Sequence, residues 1–343
     1  MADSTKTAAN ICITVFPQKW SEVTEMAVAA ERAGITDIGI VDSPLVSRDL
    51  YVSCVAALLQ TDKLRVQTAV TNPVTRHPSV TAASALSLCE LAPGRVIIGI
   101  ATGDSALWGV GLKPARVAEL CEYIVALKAL LRGEQATWAG ASFQGHWKEF
   151  DPSLAPPVYV ACSGPKTVKA SAQVADGLII AEMGYTPEDI AHVMALIDEG
   201  CAAVGRDPTK LDLWWGSDMR FSDSAADATA VGVTASSVWL TMGSTKGKRI
   251  PEGFVPKLRE LHADTHNLET YADGRGEVLV ERARKLGVYD WLLERSARLY
   301  GSPDDVRSRM SELGELGVKN WYLWPEDDDM IGCMNKLGKI SNA

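Results

Sequence analysis

The sequence predicts a closed (β/α)8 barrel, on three observations. Eight short apolar runs rich in β-branched residues alternate with helical segments, most runs end abruptly in small and polar residues, and a length of 343 residues suits one such barrel with an insertion. The runs are too apolar to face water, so helices must cover the sheet.

Strand one is Ile11 to Phe16, closed by Pro17. The helix from about Trp20 to Ala33 puts Val23, Met26, Ala27 and Ala30 on one face, and Gly34 stops it. Strand two, Thr36 to Val41, ends in Asp42-Ser43-Pro44, and a helix from about Arg48 to Leu59 leads to strand three, Arg65 to Val70. Helix three, from about Ser79 to Leu91, precedes strand four at Val96, and helix four runs from about Ala115 to Leu131. Glu134 to Pro156 reads as irregular. Strand five, Val158 to Ala161, strand six, Leu178 to Ala181, and strand seven, Leu211 to Trp215, follow with their helices. A helix opened by Ser302-Pro303 leads to the last strand, Val318 to Leu323. The stretch between strands seven and eight is too long for one crossover. About 243–298 is therefore expected to be an insertion over the mouth or at a subunit contact, too short and too charged to bury a core of its own, within a single domain over 1–343.

A formal charge of −9 argues against duplex nucleic acid as a partner, because that binding rests on neutralising phosphates. No window reaches the length of apolar chain that a membrane span needs, and residues 1–10 lack the apolar core of a signal peptide. Seven cysteines without a C-x-x-C pair read as buried hydrophobes of a reducing compartment, which makes the cytoplasm the expected location. His262 and His266 have the spacing of two ligands on a helix face, but no third ligand accompanies them and no metal is assigned. Glu326 to Asp329 reads as a solvated acidic run.

The chemistry is expected at the strand ends, which a barrel gathers on one rim. The stretch from Gly94 to Ser105 is an apolar strand opening into Thr102-Gly103-Asp104-Ser105, where glycine permits close backbone approach and its neighbours offer donors and acceptors. Ser163-Gly164-Pro165-Lys166-Thr167 opens a helix, and its free N–H groups, hydroxyls and ammonium suit a phosphate; an ordinary cap by Ser163 or Thr167 is the plainer alternative. Asp42 and Glu182 are the carboxylates placed near the rim, each able to shuttle a proton where burial raises its pKa. Tryptophans 108, 214, 215, 239, 321 and 324 fall at or just past strands, where they either fill the barrel or wall a pocket. Trp108 and Trp239 are assigned to the substrate pocket.

Four ordered motifs, Thr71 to Pro78, Gly94 to Asp104, Ser163 to Thr167 and Ala175-Asp176-Gly177, resemble the bacterial luciferase-like superfamily, and within it the branch of methylenetetrahydromethanopterin reductase. The likeness runs from about Asn10 to Gly184 and resumes near Tyr300. It implies a flavin or deazaflavin, FMN or coenzyme F420, across the C-terminal rim, and a non-proline cis peptide behind the ring, matched here by Ala69-Val70. By the same resemblance Asp42, Ala69, Val70, Thr71, Thr102, Gly103 and Asp104 lie along the ring, Ser163, Gly164, Pro165, Lys166 and Thr167 take the phosphate, and the protein is a homodimer. Two departures stand out. Pterin-reducing relatives carry histidine where this chain has Ser43 and glutamate where it has Thr14, so the pterin is not carried over, and Ser43 is assigned to the substrate pocket.

The expected function is an oxidoreductase moving a hydride between F420 or flavin and a small organic substrate. The alternative is an FMNH2-dependent monooxygenase using oxygen, with a partner flavin reductase, and a further one is a flavin-binding barrel without turnover. Basic residues along the exit for the anionic F420 tail separate the first two, with Arg48, Arg76, Lys166, Lys169 and the run Lys246 to Arg249 as candidates.

Overall fold

The computed structural model describes residues 9–241, 243–263 and 276–341. The barrel strands are β1 (Ile11–Val15), β2 (Asp37–Ile40), β3 (Arg65–Thr68) and β4 (Val96–Ile100), then, after a hairpin of β5 (Ala136–Trp138) and β6 (Ala141–Phe143), β7 (Val158–Cys162), β8 (Gly177–Ile180) and β9 (Asp212–Phe221). A short β10 (Leu299–Gly301) precedes β11 (Asn320–Pro325). The helices are α1 (Trp20–Ala33), α2 (Leu50–Leu59), α3 (Pro78–Leu91), α4 (Ser105–Trp108), α5 (Val117–Leu131), α6 (Pro165–Val174) and α7 (Pro187–Ala202). They continue with α8 (Ala225–Ser236), α9 (Phe254–Leu261), α10 (Gly276–Leu286), α11 (Tyr289–Arg295), α12 (Pro303–Glu315) and α13 (Met330–Ser341).

Eight parallel strands in the order β1-β2-β3-β4-β7-β8-β9-β11 close on themselves, because β11 pairs with β1 through Ile11 opposite Trp321. This is the (β/α)8 barrel that the alternating pattern predicts. The irregular stretch expected over 134–156 instead contains the β5–β6 hairpin, turning at Ala139 and Gly140, both at positive φ, and its Trp138 and Phe143 pack on His77.

The interior changes character along the barrel axis. At the base, Asp37 pairs with Arg65 at 2.7 Å, and Asp212 accepts from Tyr159, Trp214 and Asn320. Above it Cys12, Ile97, Tyr159, Ile179, Trp214 and Tyr322 fill the barrel. Toward the strand ends the inward positions on β2–β4 become small, with Gly39 against Ala69 and Gly99 against Val70, while Gly216 makes room for the Trp324 ring. A Cβ on Gly99 would collide with the Thr68 carbonyl oxygen, so only glycine lets β3 and β4 approach this closely. Large side chains fill the lower barrel, and small ones line the C-terminal ends of β2–β4.

Two expectations for the long segment change. Strand β9 continues to Phe221 and is followed by α8, so the added elements begin before 243. The segment is charged, yet it does bury apolar side chains together: Val233, Leu240, Leu258, Leu279, Leu292 and Tyr300 belong to a cluster separate from the barrel core. Its amphipathic helices turn their charges outward, which composition alone hides. His262 is described, whereas Asp264 and His266 lie outside the described residues. No group of metal-ligating side chains occurs among the described residues, and no helix among them is long and apolar enough to cross a membrane.

Candidate active site

The loops after β2, β3 and β4 are bonded to one another. Thr71 Oγ1 donates to Asp42 Oδ2 at 2.7 Å, and Arg76 donates to the same oxygen at 2.5 Å while lying 5.0 Å from the centre of the Tyr51 ring. Asp42 is only 5% exposed, so this is an enclosed ion pair with its acceptor satisfied. The Ala69–Val70 peptide is cis, as the motif at the end of strand three implies. Thr71 bridges to the β4 end through Ala101 N–H to Thr71 O at 3.0 Å, and Ser43 Oγ lies 2.6 Å from Ser105 Oγ. Gly103, at φ 97°, brings the backbone against Asn72 and Leu107, and Asp104 caps α4 by accepting from the Ser105 N–H. Thr14, in place of the acid of the pterin reducers, is buried and donates to the Leu323 carbonyl.

One residue of this face escaped the sequence reading. Asn72 is buried, its Oδ1 accepts from the Val74 and Thr75 N–H groups, and its Nδ2 has no hydrogen-bond partner among the described residues. A buried amide donor left open beside the mouth is costly unless something else accepts from it. Its position next to Thr71 at a strand end was the available signal.

Trp108 of α4 and Trp239 of the long segment stack with centroids 6.3 Å apart and 22° between planes. They come from positions 131 residues apart (239 minus 108), so the stack joins the loop after β4 to the long segment. Trp214 and Trp321 are fully buried and fill the structure instead.

At β7, Gly164 is the N-cap of α6 and no side chain caps that helix. The plain cap by Ser163 or Thr167 is therefore absent, and the first turn keeps open N–H groups with no acidic residue beside them. The run from Lys246 reaches this point: Gly247 packs on Pro165, and Lys248 approaches Gly164. Lys248 is buried, its ammonium donates to the Trp239 and Leu240 carbonyls, and burial pulls its pKa down. Lys166 is exposed at the same helix start.

The β8–β9 side differs. Glu182 sits at φ 59°, an uncommon conformation for a residue with a side chain, and Arg295 holds its carbonyl at 3.0 Å. Burial pushes the Glu182 carboxyl up to about 7, against the pull of Arg295 and Lys248. Burial, with Glu326 and Glu182 nearby, raises Asp218 well above the ordinary carboxylate range. The acidic run is largely exposed, as expected, though local burial raises Glu326; the Glu326 backbone N–H donates to the Met219 carbonyl, and Asp329 caps the last helix.

A family model described as luciferase-like monooxygenase matches residues 3–320. The chain belongs to the luciferase-like monooxygenase family. As a luciferase-like protein it is an oxidoreductase, and its relatives agree with the branch that the motifs resemble. It is 27% identical over 303 residues to a 5,10-methylenetetrahydromethanopterin reductase of Methanolobus tindarius, covering 87% of this chain and 88% of the relative. It is 34% identical over 159 residues to an F420-dependent hydroxymycolic acid dehydrogenase of Mycobacterium tuberculosis, covering 44% and 43%. Its fold matches the coenzyme F420-dependent tetrahydromethanopterin reductase of Methanopyrus kandleri with a TM-score of 0.73 at 20% identity, covering 97% and 98%.

Proposed function

We propose that this luciferase-like chain transfers a hydride between coenzyme F420 and a small organic substrate at the barrel mouth. The residues present fit such a coenzyme. The glycine and alanine layer leaves room for a planar ring, the open Asn72 amide can donate to it, and the uncapped α6 start between Lys166 and Lys248 suits a phosphate. Ala69, Val70, Thr71, Thr102, Gly103 and Asp104 would hold the ring, and Ser163, Gly164, Pro165, Lys166 and Thr167 the phosphate. The coenzyme supplies a ring carbon that accepts or gives a hydride.

The chain's own side chains do the rest. Asp42 fixes Thr71 and Arg76 behind the ring, Ser43 with Trp108 and Trp239 bounds the substrate, and Glu182 holds or releases a proton near neutrality. The observation that carries the deazaflavin reading is the basic α6 start. Arg48 donates to the Gln18 carbonyl and Lys169 pairs with Glu199, so these are committed elsewhere, whereas Lys166 stays exposed beside the buried Lys248. The family's monooxygenase description favours a second reading, in which FMNH2 from a partner reductase and oxygen oxygenate the substrate.

Titrating the full chain separately with F420 and FMN separates them. At least tenfold tighter F420 binding is expected; binding of FMN alone selects the second reading, and binding of neither overturns both. The homodimer reading is supported by Val52, Val55 and Leu59, exposed at 63%, 37% and 60% along one stripe of α2. Sedimentation at micromolar concentration should show a dimer, and monomer alone would refute it. The pairing of β10 with β9, together with Tyr300 packing into the segment's cluster, supports one continuous domain.

A further inference from the structure

Three polar groups beside the mouth have no hydrogen bond or ion pair among the described residues: the carboxyls of Glu182 and Asp218 and the hydroxyl of Tyr300. They line one cavity together with Gly216, beside the C-terminal ends of β8 and β9. Tyr300 is only 5% exposed as a residue and its ring packs in the long segment's cluster, while its hydroxyl meets the cavity without a hydrogen-bond partner among the described residues, which leaves it available to a ligand atom.

Every neighbouring charge bears on what that ligand is. Arg295 lines the cavity from the end of α11, but it donates to the Glu182 and Lys248 carbonyls and stacks on Trp291 at 4.8 Å. Arg298 lines it near β10, Glu326 approaches Asp218 from the end of β11, and Lys248 approaches Glu182 from the long segment. The carboxyls of Glu182, Asp218 and Glu326 are offset by Arg295, Arg298 and Lys248, so the cavity is neither a purely basic pocket for a phosphate nor a purely acidic one for a polycation. Its volume of ≈ 50 Å³ admits only a few heavy atoms.

We propose that this cavity receives the neutral, oxygen-bearing end of the substrate, with Asp218 and Tyr300 fixing that oxygen and Glu182 exchanging its proton. The inference rests on the hydride-transfer reading. In oxidation the substrate C–H bond breaks and its hydrogen leaves with the electron pair as hydride to the coenzyme. The O–H bond breaks, its proton passes to the Glu182 carboxylate, and the C=O bond forms. Reduction reverses each change, with Glu182 as donor.

The test uses the full chain and the variants Asp218→Asn and Tyr300→Phe. Infrared titration of the protein alone should show a carboxyl that protonates above the ordinary carboxylate range and that Asp218→Asn lacks. With F420 bound, a panel of small neutral alcohols and ketones, with phosphorylated and amine analogues as controls, should give kcat/KM lower by about a hundredfold in Asp218→Asn and about tenfold in Tyr300→Phe, with F420 affinity unchanged. If the wild type binds no F420, the parent reading falls and this one with it. If F420 binds but the variants match the wild type, the carboxyl band survives in Asp218→Asn, or the charged analogues are preferred, this inference alone is overturned.

Discussion

The two sides of the barrel mouth treat their carboxylates in opposite ways. On the β2–β4 side Asp42 is held by Thr71 and Arg76, and Ser43 by Ser105. On the β8–β9 side the carboxyls of Glu182 and Asp218 are half-buried, raised in pKa and without hydrogen-bond partners among the described residues. A satisfied buried ion pair defines geometry, whereas a half-buried carboxyl without a partner remains available for proton transfer. Under the proposed hydride transfer, the first side would be scaffold for a ring and the second would handle protons.

Substitutions that break this contrast rank by expected effect. Glu182→Gln should lower kcat by about a hundred- to a thousandfold and remove the ionisation near neutrality from the pH profile, measured in single turnovers with bound F420. A retained profile would assign the proton transfer elsewhere. Asp42→Ala leaves Arg76 half-buried without its partner and should cost about 3 kcal/mol in urea denaturation, with Thr71→Val milder. A loss of activity at unchanged stability would move Asp42 from scaffold to chemistry. Lys166→Ala should weaken coenzyme binding by about tenfold at unchanged melting temperature, because the residue is exposed and its contribution is an electrostatic contact. Unchanged affinity would remove the phosphate role. Trp239→Ala removes the stack on Trp108 and should raise substrate KM severalfold while leaving coenzyme affinity intact.

Much of the fold was legible because barrel strands announce themselves as apolar runs with polar ends, and the loop motifs marked strand ends that the barrel gathers on one rim. Trp108 and Trp239 could be paired because each follows a strand or helix that the barrel turns to the mouth. What escaped depended on structure added beyond the repeat. Asp218 lies on the extension of β9 past Trp215 and Tyr300 on the three-residue β10, and neither is distinguished by local pattern. The β5–β6 hairpin turns on Ala139-Gly140, which lacks the Asn-Gly or Asp-Gly signal of a tight hairpin. The long segment's core was hidden because its helices mix charge and leucine on opposite faces, a distinction that total charge erases.

The unfolding free energy of Glu182→Gln against the wild type, measured at about pH 4 and about pH 8, tests the contrast most directly. Glu182 has a folded pKa of about 7, above its ordinary value of 4.5, so the folded state takes up protons between the two. Wild-type stability should therefore fall as pH rises through that window and level off above it. The variant lacks this fall and should be the more stable protein at the higher pH by about 2 kcal/mol, with no such advantage at the lower. A wild type as stable as the variant at the higher pH would show that Glu182 is satisfied after all, and the distinction between the two sides of the mouth would be lost.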